Sequence, residues 1–134
     1  MLFKCRIETG NGDRMYDITK VVRDKVKSSG VKSGICVIYV PHTTCGVTIN
    51  ENADPDVQHD IIKTLDRLVP YNDPAFLHME GNSAAHIKSS MFGFSQTVII
   101  DDGDLVLGIW QGIYLCEFER VKTARSVYIK IIEG

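Results

Sequence analysis

From residue 95 to residue 133 the chain alternates rather than winds. SQTVIID, DLVLGIWQGIYLCEFE and SVYIKIIE place apolar residues at period two or in short runs, and DDG and RVKTA punctuate them. Gly108 and Gly112, inside the long middle segment, point to a bulge or a close backbone approach. Phe3, Cys5 and Ile7 alternate with Lys4, Arg6 and Glu8 as a first strand with one wet face, after which GNGD turns the chain. GICVIYV predicts a buried strand from Ile35 to Val40, ended by Pro41, and GVTIN predicts another short strand.

Helical spacing interrupts this pattern three times. Asp17 can cap a helix whose Ile18, Val21, Val22 and Val26 recur until Gly30 stops it. In ADPDVQHDIIKTLDRLVP, Asp54 is the cap and Pro55 takes the first helical position. Val57, Ile61, Ile62, Leu65 and Leu68 form one stripe there, and Pro70 closes the helix. Residues 71 to 82 read as a polar loop, followed by a shorter helix that Asn82 or Ser83 can cap and Gly93 can end. The order of elements argues for a single compact α+β domain over residues 1 to 134. Its antiparallel, sandwich-like strands would pack with two to three helices.

At 134 residues the chain can bury a core without staples, and no apolar run approaches the ~20 residues that span a bilayer. The net charge of −2 recruits no polyanion. Lys20, Arg23, Lys25, Lys27 and Lys32 cluster, but Asp17 and Asp24 interleave with them and no aromatic residue stands by to stack on a base. Neither nucleic acid nor membrane is an expected partner. The alternating N-terminus reads as a strand rather than a signal peptide, which predicts a cytoplasmic protein. Cys5, Cys36, Cys45 and Cys116 form no Cys-x-x-Cys pair, so disulfides and a cysteine zinc knuckle are not expected.

Chemistry would be carried by histidines and carboxylates. His42 follows a strand in PHTTCG, His78 precedes MEGN, and His86 falls near the start of the third helix, where free amides favour an anion. If the loop folds back, these imidazoles can converge with Glu80 in reach and suit zinc; hydrogen-bonded structural histidines are the competing reading. His59 lies about 135° from the centre of its helix's apolar stripe, where solvent or a subunit contact is expected. Glu51, Asp54 and Asp56 cluster in INENADPD. Capping and helix-dipole roles explain Asp54 and Asp56, while the functional alternative makes Glu51 or Asp54 a magnesium ligand or general base. Cys45 beside His42 lacks a third orienting group and reads as a bystander thiol. DDGD is a hairpin turn rather than a calcium loop. Trp110 and Gln111, with Tyr114, can line a pocket for a flat ring or serve as core.

HTTCGVTINENADPDVQHD, H-x-E-G, AHIKSSMFG and GIWQGIYLCEFER, in that order from about residue 36 to 120, resemble the YjbQ-like family of secondary thiamine-phosphate synthases. The resemblance implies a compact α+β fold, a homotrimer and a weak synthase activity. It sets His42, His59, His78 and His86, with Glu51 and Asp54, on matching family positions and makes metal binding an expectation. Such a synthase joins a pyrimidine pyrophosphate to a thiazole phosphate and releases pyrophosphate. The residues expected to serve it are His86, Asp54 and Glu51 in catalysis, and Asn82, Ser83, Lys88, Trp110 and Gln111 for a small phosphorylated substrate. Magnesium would assist the reaction, and His42, His78 and His86 would hold zinc or a similar ion. No glycine-rich phosphate loop with its lysine is present. A second class therefore stays open: a trimeric metal- or ligand-binding module with incidental activity. A metal-dependent hydrolase is a variant of the first class.

Overall fold

The computed structural model describes residues 1 to 10 and 12 to 134. Eight strands and three helices follow in the order β1 (Leu2–Thr9), β2 (Arg14–Asp17), α1 (Thr19–Ser29), β3 (Gly34–Tyr39), β4 (Cys45–Glu51), α2 (Pro55–Leu68), α3 (Ser83–Phe92), β5 (Ser95–Asp101), β6 (Asp104–Leu105), β7 (Gln111–Glu117) and β8 (Thr123–Glu133). They form a five-stranded sheet in the order β1-β8-β3-β5-β6 and a three-stranded sheet in the order β2-β7-β4. All the pairings are antiparallel. The α+β class and the sandwich-like arrangement of the sheets are as expected. Asn11 of the expected Gly10–Asp13 turn lies outside the described residues.

The main core fills the space between the sheets. Ile18, Val22 and Val26 from the α1 segment meet Cys36, Ile38, Val98, Ile129 and Ile131 of the large sheet and Val47, Ile113 and Leu115 of the small one. A smaller cluster of Met15, Leu65, Ala85, Tyr114, Cys116 and Phe118 lies where α2 and α3 cover the small sheet. Strand β7 is therefore buried on both faces, from Gly112 to Glu117.

Three differences from the expectation have physical reasons. The buried-strand reading of GICVIYV holds for alternate residues only: Cys36, Ile38 and Val40 are buried, whereas Ile35 and Tyr39 are exposed, because β3 lies in the large sheet with one face open. The long middle segment divides into β6 and β7, which belong to different sheets. Here Gly112 makes the close approach, since a Cβ on it would stand 2.6 Å from Asn52 Nδ2. Strand β2 was not anticipated; four residues are too few to show a period. In addition, Asp17 stands just before the residue that caps α1, yet its Oδ1 accepts from both Thr19 N at 2.9 Å and Thr19 Oγ1 at 2.6 Å, so it serves the helix start.

One buried ion pair ties the sheets together. Arg125 of β8 donates from Nε to Glu117 Oε1 at 2.7 Å and from a second guanidinium nitrogen to Oε2, and Thr9 of β1 donates to Oε1 at 2.7 Å. Glu119 N donates to Oε2 at 3.0 Å, and Thr44 Oγ1 accepts from Arg125 at 2.8 Å. Burial alone raises the Glu117 carboxyl, but the hydrogen bonds from Arg125, Thr9 and Glu119 outweigh it and hold it below its ordinary value.

Candidate functional site

The loop before α3 folds back over the helix start. Gly81, at φ 78°, lets its amide donate to His78 O at 3.2 Å, and the resulting turn carries His78 to the first turns of α3. The His78 and His86 rings meet edge to face with centroids 5.4 Å apart. Together with Ser83, Ala75, Phe76, Leu77 and Ile87 they line a cavity of about 490 Å³. Its lining combines two imidazoles and a hydroxyl with apolar groups. The loop is less polar than the sequence suggested, with Leu77 93% and Met79 99% exposed.

His42 stands apart from this pair. Its Nε2 accepts from Ser126 N at 2.9 Å, and burial, reinforced by the Arg125 charge, lowers its pKa and keeps the ring neutral. It does not line the His78–His86 cavity. Among the described residues, no three His, Cys, Asp or Glu side chains are gathered to hold a metal ion, so the chain does not bring the expected trio of His42, His78 and His86 together. Cys45 is buried and its thiol is pushed up to about 12, chiefly by burial, which keeps it protonated and unreactive.

Lys88 lies inside the protein rather than at the cavity. Expected to reach a phosphate, its side chain is only 1% exposed, and Nζ donates to Asp66 Oδ1 at 2.8 Å and to Asp13 Oδ2. It points away from the cavity because α3 buries the face formed by Ala84, Ala85, Lys88 and Ser89. Burial pushes the Asp13 carboxyl up against the pull of Lys88. At the more open Asp66, burial acts in the same sense, but the hydrogen bond and charge of Lys88 win and lower it. A lysine on a stripe of alanine and serine was the signal for this burial.

The carboxylates occupy the other end of the small sheet. Asp54 caps α2, accepting from Asp56 N at 2.9 Å. Glu51 is half-buried at the end of β4, opposite Gln111. Gln111 Oε1 accepts from Gly108 N at 2.8 Å, so Gln111 braces its own loop. Trp110 is 60% exposed rather than core, and Tyr114 is buried with its hydroxyl donating to Glu51 O at 3.1 Å. Lys88 of α3 reaches Asp66 near the far end of α2, twelve residues beyond Asp54, which at 1.5 Å per residue is roughly 18 Å. Within the chain, His86 and Asp54 therefore do not face each other across a pocket. His59 is exposed as expected and lines a separate cavity with Asp13, Asp17, Gln58 and Lys63.

Of the residues that hold the histidine loop in place, sequence reasoning named Asn82 for the substrate and Glu80 beside the imidazoles but passed over Glu119. Asn82, 4% exposed, donates from Nδ2 to Glu80 Oε2 at 2.8 Å and to Glu119 Oε2 at 3.0 Å, latching the loop to the chain beyond β7. Arg120 stacks on Tyr71, 3.9 Å from the ring centroid, on the same side. The clustering of Glu117, Glu119 and Arg120 at the end of an apolar strand was the available sign.

The fold and this site define a class: two antiparallel sheets, one shielded by a helix pair, with paired imidazoles at the start of the second of those helices. The model of the "UPF0047 protein YjbQ-like" family matches residues 3 to 134, and the chain belongs to that family. It is 55% identical over 132 residues to UPF0047 protein MJ1081 of Methanocaldococcus jannaschii, covering 98% of this chain and 94% of that one. It is 50% identical over 132 residues to UPF0047 protein YugU of Bacillus subtilis, covering 98% and 99%. A crystal structure of a YjbQ/UPF0047 family protein from Clostridium acetobutylicum, an ortholog of YugU, superposes with a TM-score of 0.94 at 49% identity, over 97% of this chain and 99% of that one.

Proposed function

We propose that this chain is a weak thiamine-phosphate synthase acting on small phosphorylated substrates, with its site built on the His78–His86 cavity and completed by a second copy of the chain in a homotrimer. The observation that carries the reading is the pairing of two imidazoles at the first turns of α3, in a cavity that apolar side chains also line. A flat heterocycle suits Phe76 and Ile87, and a phosphate suits the first-turn amides after Asn82 and the Ser83 hydroxyl. The thiazole nitrogen would attack the pyrimidine methylene carbon as the bond to pyrophosphate breaks, so the site must steady the departing anion and keep water out. His86 would orient that anion by hydrogen bonding.

Glu51 and Asp54 have the oxygen donors that suit magnesium, which would neutralise charge on pyrophosphate when bound. Since they lie far from His86 in one protomer, a neighbouring copy must supply them. No step is assigned to zinc, because the imidazoles of one protomer do not make a complete donor set. The second reading, a trimeric metal- or ligand-binding module with incidental activity, rests on the same His78–His86 cavity taken as a binding site alone.

The test is turnover of a pyrimidine pyrophosphate with a thiazole phosphate in magnesium. His86→Asn and Asp54→Asn should each reduce it at least ~tenfold with the fold intact, while Asp56→Asn should cost less than ~1 kcal/mol of stability and leave turnover alone. Equal activity in all three variants and the wild type would remove the synthase reading and leave the binding module.

A further inference from the structure

We infer that the cavity between β2 and α2 is a second binding site, for a small phosphate monoester of a flat apolar group, separate from the histidine cavity and independent of the synthase reading. It holds about 400 Å³, a volume in the range of small-ligand pockets, and shares no lining residue with the His78–His86 cavity. Met15 of β2, Ile62 of α2 and Tyr114 of β7 line it with apolar groups, while Arg14 brings a cation from β2 and Lys63 one from α2. Part of its wall is tied in place. The Gln58 side-chain amide and the Tyr114 hydroxyl both donate to Glu51 O, the second at 3.1 Å. Side chains held in this way lose little further freedom when a ligand enters.

The charges around the cavity decide what kind of ligand fits. Two carboxylates also line it, Asp13 and Asp17, but the protein answers both. Asp13 Oδ2 accepts from Lys88, and its Oδ1 is out of contact with solvent, 3.9 Å from Arg120 Nε. Asp17 Oδ1 accepts twice from Thr19, and Oδ2 has Asn52 Nδ2 at 3.4 Å. Arg14 and Lys63 have no such answer. Among the described residues neither is in an ion pair, and the guanidinium of Arg14 meets only the Tyr16 ring, 5.1 Å from its centroid. In a chain of 17 acidic residues and net charge −2, two cations that share one cavity and lack counter-charges suit a dianion from outside. A phosphate monoester carries nearly two negative charges at neutral pH and has oxygens enough to accept from both. The flat group behind the phosphate would rest on Met15, Ile62 and Tyr114.

The test is a titration of the whole chain, labelled with carbon-13 at its methionine methyls, with phenyl phosphate to ~10 mM while the methyl signals are followed by NMR. Met15 lines this cavity and Met79 follows His78 of the other, so two signals keep the sites apart. The Met15 signal should shift and approach saturation with a Kd of about 1 mM, ordinary for a ligand of this size. Phenol and inorganic phosphate each carry half of the chemistry, and each should need at least ~tenfold more to give the same shift. Arg14→Gln and Lys63→Gln should each weaken phenyl phosphate at least ~threefold, a modest loss because both cations are exposed to water. A Met15 signal that stays still overturns the proposal, as does one that moves as readily with phenol or with inorganic phosphate. Binding by both variants as tight as that of the wild type overturns it too, and a shift of Met79 alone would place the ligand in the histidine cavity instead.

Discussion

Glu117 and Arg125 show how much one pair of residues can decide. Glu117 is fully buried in β7 and is met by four donors from Thr9, Glu119 and Arg125, which join three strands of two sheets. Glu117→Gln leaves the guanidinium buried without its counter-charge. Urea unfolding near neutral pH should show a loss of about 3–5 kcal/mol. Because the folded carboxyl titrates below its ordinary value of 4.5, its contribution is present above that value and is lost as pH falls through the lower, folded one. Wild-type stability should therefore drop more steeply than that of Glu117→Gln on acidification from about pH 5 to about pH 3. Parallel curves would mean that Glu117 is not the group being protonated. Lys88 teaches the opposite lesson about legibility. Its place in AHIKSSMFG suggested a phosphate ligand, and only the facing Asp13 and Asp66, distant in sequence, make it an interior cation.

Among the elements, the contact of α3 with β4 sets where the histidine-bearing helix lies. Gly46 of β4 lets the helix end come close: a Cβ there would stand 2.7 Å from Gly93 O and 3.2 Å from Phe92 Cβ. Both obstacles are backbone or the root of a side chain, so neither can swing away. Gly46→Ala should lower stability by about 1–3 kcal/mol, read as a fall in the thermal midpoint. A midpoint equal to wild type would show that α3 is free to shift. The helices themselves were largely legible. Asp54 and Pro55 start α2 as their chemistry demands, and Gly30 ends α1 at φ 72°. The stripe on α2 was legible too, but not its fate: Leu65 is buried, whereas Leu68 is 66% exposed.

At the scale of the whole molecule, Leu68 at the end of that stripe is one of several apolar groups left open. Leu77 and Met79 beside the histidine cavity, and Ile109 and Trp110 at the far end of the small sheet, are all exposed. Such residues rarely stand together in water on a small protein without a partner. A homotrimer that pairs these surfaces would also carry Glu51 and Asp54 of one copy toward His86 of another. Sedimentation or light scattering at micromolar concentration should give about 45 kDa, three times the 15.0 kDa chain mass. A stable 15 kDa monomer would end both the trimer and the shared site. Among the described residues, no helix is long and apolar enough to cross a membrane.

What the sequence by itself determined was local. Period, cap and breaker residues act within a few positions of one another, so they marked most strands and all three helices, and the ordered motifs carried the family. What only the tertiary structure decided were the meetings of residues far apart in the chain. These include the division of one apolar segment between two sheets, the burial of Lys88 by Asp13 and Asp66, the latch from Asn82 to Glu119, and the separation of His86 from Asp54 by the length of a helix. Backbone pairing and side-chain burial are settled by the whole core closing at once. No stretch of local pattern encodes which distant partner a side chain will find.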